Sequence, residues 1–94
     1  MDLIRKRYIL SGLVQGVGFR WRARQAAQAE GLTGWVRNRM DGSVAMELQG
    51  SREQIERTMD LIRRGRWIRI EEVWERQIPP DPEERSFAVL DDAW

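Results

Sequence analysis

The sequence predicts an α+β fold: a ferredoxin-like split βαβ sandwich, βαββαβ with a short extra strand at the C-terminus, its antiparallel sheet covered on one face by two helices. Three observations predict it. Period-two and three-and-four apolar patterns follow one another in the order strand, helix, strand, strand, helix, strand. Asp41-Gly42 falls between the second and third strands, where a hairpin turn needs a residue that accepts positive φ. The chain has 94 residues, enough for one core and not two, so two right-handed crossovers share a single sheet.

The first strand runs from Leu3 to Leu13, with Tyr8 and Leu10 on one face and Ile9 on the other. A short amphipathic helix follows over Trp21 to Glu30, its buried side made of Ala23, Ala26 and Ala27 with Phe19 ahead of them. Gly31 stands where a left-handed C-cap belongs, and Leu32 can fold back onto the last turn. Thr33 to Arg39 is the second strand, with Trp35 as its large apolar anchor. Ser43 to Gln49 is the third, with Val44, Met46 and Leu48 on one face and Ser43, Ala45, Glu47 and Gln49 on the other.

Ser51 with Gln54 three residues on matches a capping box and starts the second helix. Ile55, Met59 and Ile62 form its core stripe, widened by Thr58 and Leu61, and Gly65 ends it. Trp67 to Gln77 is a long fourth strand. The prolines of Ile78-Pro79-Pro80-Asp81-Pro82 cannot donate to a ladder and stop it. Ser86 to Leu90 makes the short last strand, and the tail Asp91 to Trp94 is expected to fray. Both helices then cover one sheet face and leave the other open. Trp67 and Trp74 differ in strand parity by one, which would turn at least one toward solvent or a partner. A core filled by the five tryptophans is the simpler account, and a dimer through that strand the alternative.

Composition narrows the chemistry. Hydrophobic residues at 41% and charged residues at 33% are ordinary for a globular domain, and no apolar run approaches the ~18 residues of a membrane span. The reading is one cytoplasmic domain over residues 1–94. With no Cys and no His, there is no thiolate nucleophile, no imidazole base and no thiolate or imidazole metal ligand. Residues 1–40 carry eight basic groups against two acidic, and residues 41–94 eight against thirteen. The positive half favours an anionic ligand.

That half holds Gly12-Leu13-Val14-Gln15-Gly16-Val17-Gly18-Phe19-Arg20, a loop from strand to helix. Gly12, Gly16 and Gly18 lack the Cβ that would keep a backbone away from a ligand. Successive N–H groups and the start of the helix can converge on an anion of phosphate size, and Arg20 could close the cradle with its guanidinium fork. The spacing matches neither a Walker loop nor a dinucleotide fingerprint, and a glycine-rich turn that merely joins two elements fits it as well. On the predicted topology Gly34-Trp35-Val36-Arg37-Asn38 comes near this loop. The Asn38 carboxamide could hold and aim a water molecule, or bond its own backbone before the turn.

The two motifs together, followed by Asp41-Gly42-Ser43-Val44 and Gly50, resemble the acylphosphatase family over about residues 7 to 90. The resemblance implies a ferredoxin-like sandwich and hydrolysis of small-molecule acyl phosphates to a carboxylate and inorganic phosphate. It makes Arg20 and Asn38 the catalytic residues and Gln15, Gly16, Val17, Gly18, Phe19 and Arg20 the phosphate-binding loop. No metal or cofactor is expected, inorganic phosphate or sulfate would compete as anions, and neither nucleic acid nor a membrane is a partner. The protein is expected to be a monomer. Two departures stand out: Gly65-Arg66-Trp67-Ile68 lacks the family's proline, and Arg22 and Arg24 make the rim of the site basic.

Two other functions fit parts of the pattern. Gly16-Val17-Gly18-Phe19 is similar to part of an RNA-recognition signature, but it opens a helix instead of lying on a central strand, and Val17 stands where an aromatic is needed. A phosphate-binding domain without turnover would share the fold, because fold does not fix function.

Overall fold

The computed structural model describes residues 2–91. Its elements are β1 (Ile4–Leu13), α1 (Phe19–Glu30), β2 (Thr33–Asn38), β3 (Val44–Gly50), α2 (Arg52–Arg63), β4 (Arg69–Ile78) and β5 (Phe87–Val89). The sheet order is β4-β1-β3-β2-β5. Strands β1 to β4 pair antiparallel, whereas β5 adds parallel to β2, so the sheet is mixed at that edge. The parallel pairing follows from the route of the chain, which crosses from one edge of the sheet to the other after β4.

Tyr8, Leu10, Val36, Val44, Met46 and Leu48 point from the sheet into one core, where they meet Phe19, Ala23, Ala26 and Ala27 of α1 and Ile55, Met59 and Ile62 of α2. The alanines let α1 lie close to the strands, as the pattern predicts. Local signals are realised as read. Gly31 is left-handed at φ 74°, its N–H bonded to the Gln28 carbonyl and the Leu32 N–H to that of Ala27, a Schellman closure. Ser51 Oγ accepts from the Gln54 N–H, and Gln54 Oε1 accepts from the Ser51 N–H. Gly42 carries the positive φ of the β2–β3 turn.

The face away from the helices is not open. Its β3 residues are buried along with the rest of that strand. Arg5 bonds Glu47 Oε1 at 2.7 Å and Glu84 at 2.8 and 3.1 Å, and Arg7 bonds Glu47 Oε2 at 2.7 Å. The Gln49 carboxamide exchanges two hydrogen bonds with the Asp81 backbone, both 2.7 Å. The β4–β5 connection is thus fastened across the sheet by polar groups. Burial works against the Arg5 charge, but its bonds to Glu84 and Glu47 outweigh that and raise its pKa. Buried ions hold only when paired in this way.

Among the described residues the tryptophans do not fill the core. Trp21, Trp67 and Trp74 are 66%, 65% and 49% exposed, and Trp35 is half-buried on the far face beneath the Arg7 guanidinium, 5.5 Å from the ring centroid. The large residue of β2 that reaches the core is Val36. Trp94, with Asp92 and Ala93 of the predicted frayed tail, lies outside the described residues. Among the described residues no helix is long and apolar enough to cross a membrane.

Candidate active site

Helix α1 begins two residues earlier than its sequence pattern suggests. Gly18 is its N-cap in the left-handed conformation, φ 78° and ψ 20°, with no side-chain cap and no acidic residue in the first turn. Arg20 therefore sits within the first helical turn, and buried Phe19 pins that turn to the core. Gly16, also left-handed at φ 72°, bends the loop ahead of it. The N–H groups of Gln15, Gly16, Val17, Gly18 and Phe19 donate to no described residue. Five consecutive donors and the positive end of α1 are thus presented together.

A cleft of about 460 Å³ opens beside them, lined by Gly16, Gly18, Phe19, Arg20, Asn38 and, on the far wall, Val89 to Asp91, among others. Arg20 Nη1 donates to the Leu90 carbonyl at 3.3 Å, which sets the guanidinium across the cleft between α1 and the end of β5. Asn38 ends β2 with only 9% of its surface exposed, and its Oδ1 is buried with no hydrogen-bond partner. The carboxamide oxygen has therefore not turned back on its own backbone, the other possibility left by the sequence. An acceptor left so costs about 1–3 kcal/mol.

The predicted site residues separate into groups. Gly16, Gly18, Phe19, Arg20 and Asn38 meet at the cleft. Val17 packs on the edge of the core. Gln15 turns its side chain away: Nε2 donates to the carbonyls of Arg39 and Ser43 at 2.7 and 2.8 Å. The side chain thereby ties the loop to the β2–β3 turn and brings Asn38 and Arg20 to one place. Gly12 belongs to β1, where the ladder to β4 slips, and a Cβ there would fall onto the Arg69 carbonyl. Its missing side chain serves strand packing and not a ligand.

Of the two rim arginines, Arg24 lines the cleft. Arg22 instead reaches the Leu61 carbonyl at 2.8 Å and joins α1 to α2. The wall made by Val89, Leu90 and Asp91 was not visible in the sequence, since it depends on β5 lying beside β2. Leu90 N–H bonds the Val36 carbonyl at 2.8 Å, and Arg37 Nε bonds the Asp91 carbonyl at 3.1 Å. Among the described residues no three His, Cys, Asp or Glu side chains gather as a metal site would need.

A mixed sheet with two helices on one face, a strand-to-helix loop of unpaired N–H groups and an arginine in the following turn define an α+β sandwich with its free backbone donors gathered at one cleft. The family model described as Acylphosphatase matches residues 6–89. An acylphosphatase of Bifidobacterium longum is 40% identical over 90 residues, covering 94% of this chain and 93% of the relative. The crystal structure of acylphosphatase from Bacillus subtilis superposes with a TM-score of 0.85 at 26% identity, over 93% of this chain and 98% of that one. An acylphosphatase structure from Coxiella burnetii gives 0.82 at 30% identity, over 95% and 94%. The chain belongs to the acylphosphatase family.

Proposed function

We propose that this protein hydrolyses the carboxyl–phosphate bond of acyl phosphates without a metal ion, with Arg20 and Asn38 as its catalytic residues. The loop from Gln15 to Arg20 holds the phosphoryl group. Backbone N–H groups and the Arg20 guanidinium take its equatorial oxygens, where charge must be stabilised as the transition state forms. Asn38 holds a water molecule in line with the bond to be broken. The water oxygen bonds to phosphorus, the phosphorus–acyl oxygen bond breaks, and the electron pair leaves with the carboxylate. The proton passes to a phosphoryl oxygen, so inorganic phosphate departs. A carboxylate is a weak base and leaves without a general acid, which suits a chain with no His.

The observation that carries this reading is the buried, unpartnered Asn38 Oδ1 beside the same cleft as Arg20. Phosphate release from benzoyl phosphate in excess chelator tests it. Arg20→Ala and Asn38→Ala are each expected to lower kcat by roughly 100-fold or more while remaining folded. Arg20→Ala should also weaken competition by inorganic phosphate and sulfate, whereas Asn38→Ala should leave it. Turnover indifferent to Asn38 would remove the carboxamide from the reaction. Phosphate binding without turnover in the unaltered protein would leave a binding domain.

A further inference from the structure

Strand β4 is one edge of the sheet, and eight of its ten residues are exposed. Such an edge presents unpaired N–H and C=O groups to any further strand. Its side chains decide which strand fits. The ladder sets Glu72 opposite Ser11, Trp74 opposite Ile9 and Arg76 opposite Arg7, so all three lie on the face away from the helices. Neither Glu72 nor Arg76 forms an ion pair with a described residue. Four residues apart on one strand they are separated by about 13 Å and cannot reach each other. Glu75, on the opposite face, already has Lys6 Nζ at 3.7 Å.

Read in either direction from Trp74, the outward face of this strand meets a charge two residues away, acidic one way and basic the other. We propose that β4 pairs antiparallel with β4 of a second copy of this chain, with Trp74 on the two-fold axis, joining two five-stranded sheets into one. In that register the two Trp74 rings face each other, and each Glu72 lies opposite the Arg76 of the other copy. On the helix side Val73 lies opposite Glu75, whose charge Lys6 offsets. Neighbouring registers lose this match. Centring on Val73 sets Glu71 opposite Glu75, and centring on Glu75 sets the two Glu75 side chains opposite each other, like charges that destabilise a cross-strand pair. The slip in the β1–β4 ladder skips Glu71, so it lies outside the five residues from Glu72 to Glu75 and Arg76 that the pairing uses. The expected monomer gives way to an isologous dimer with its candidate active sites far from the seam.

Charges on an edge strand often serve to prevent pairing, and the two roles answer charge reversal in opposite ways. Sedimentation velocity of the full chain, from micromolar to sub-millimolar protein, separates them. The unaltered protein is expected to dimerise. Trp74→Ala should abolish the dimer, and Glu72→Arg or Arg76→Glu alone should each raise its Kd about tenfold or more. The double variant Glu72→Arg with Arg76→Glu should restore it. All four variants should keep the far-UV spectrum and benzoyl phosphate turnover, since the three positions are exposed and do not line the cleft. A monomer at every concentration overturns the proposal, as does a single reversal that strengthens association or a double variant that fails to recover.

Discussion

The two helices of this protein begin in opposite ways. At α2, Ser51 and Gln54 close each other's backbone donors and Glu53 stands in the first turn, so the positive end of the helix is answered from within the chain. At α1, left-handed Gly18 offers no side chain, and the first turn carries no acidic residue. The same physics that makes α2 a finished structural element leaves α1 able to take an anion from outside. The stability α1 forgoes at its start is recovered elsewhere, in buried Phe19 and in the Gln15 bonds that fix the loop.

Giving α1 the cap it lacks should produce the largest effect. Gly18→Asp and Gly18→Asn add side chains of one shape, and a Cβ there meets nothing within 4 Å, so crowding is absent from both. Both pay a similar cost for the left-handed backbone, which Asn and Asp tolerate better than other residues. They differ in charge. A carboxylate within about 4 Å of a phosphoryl group costs about 4 kcal/mol at an effective dielectric constant of 20. Turnover of benzoyl phosphate by the Asp variant is expected to fall at least about 100-fold below that of the Asn variant, with similar melting temperatures. Equal rates would mean that the N-terminus of α1 does not face the phosphoryl group.

Removing the tie that replaces a cap comes next. Gln15→Ala leaves the Arg39 and Ser43 carbonyls without the carboxamide that joins them to the loop. A loss of about 1–3 kcal/mol in stability is expected, together with a higher KM, because the donors of the loop and Asn38 no longer share one frame. A thermal melt and a kinetic comparison check the two parts separately. The complementary change at α2, Ser51→Ala, should cost about 1 kcal/mol and leave kcat and KM where they were.

This contrast also explains what could be read from the chain. Ser51, Gln54, Gly31 and Gly42 were legible because each acts on residues within a few positions of itself. The start of α1 was not, since a glycine N-cap carries no side chain to signal it, and the pattern pointed two residues late. Arg20 and Asn38 could be paired because the topology brings the end of β2 beside the loop. The role of Gln15 could not, for its partners are the carbonyls of Arg39 and Ser43, 24 and 28 residues away, and any carbonyl would look the same in the sequence. The tryptophans misled for a related reason. Alternation says which residues share a face, but the exposure of Trp74 follows from β4 being an edge, and the place of half-buried Trp35 outside the core from a far face held by Arg5, Arg7 and Glu47 instead of by apolar groups.

The β2–β3 turn offers a last and smaller test, for it is closed as α2 is. Asp41 Oδ1 accepts from the Ser43 N–H at 2.9 Å and from the Ser43 hydroxyl. These bonds, side-chain first, with Arg39 nearby, hold the Asp41 carboxyl below its ordinary value of 3.8. A depressed folded-state pKa stabilises the turn at pH values above that ordinary value, and the contribution is lost as pH falls through the lowered one. Ser43→Ala removes the hydroxyl and keeps the backbone bond, so the carboxyl should titrate closer to 3.8 without reaching it, as followed by carbon NMR of the Asp41 carboxyl. Because the Ser43 carbonyl that receives Gln15 is untouched, turnover should stay constant across that titration difference. A parallel loss of turnover in Ser43→Ala would mean that the turn's own closure, and not Gln15 alone, sets the position of Asn38.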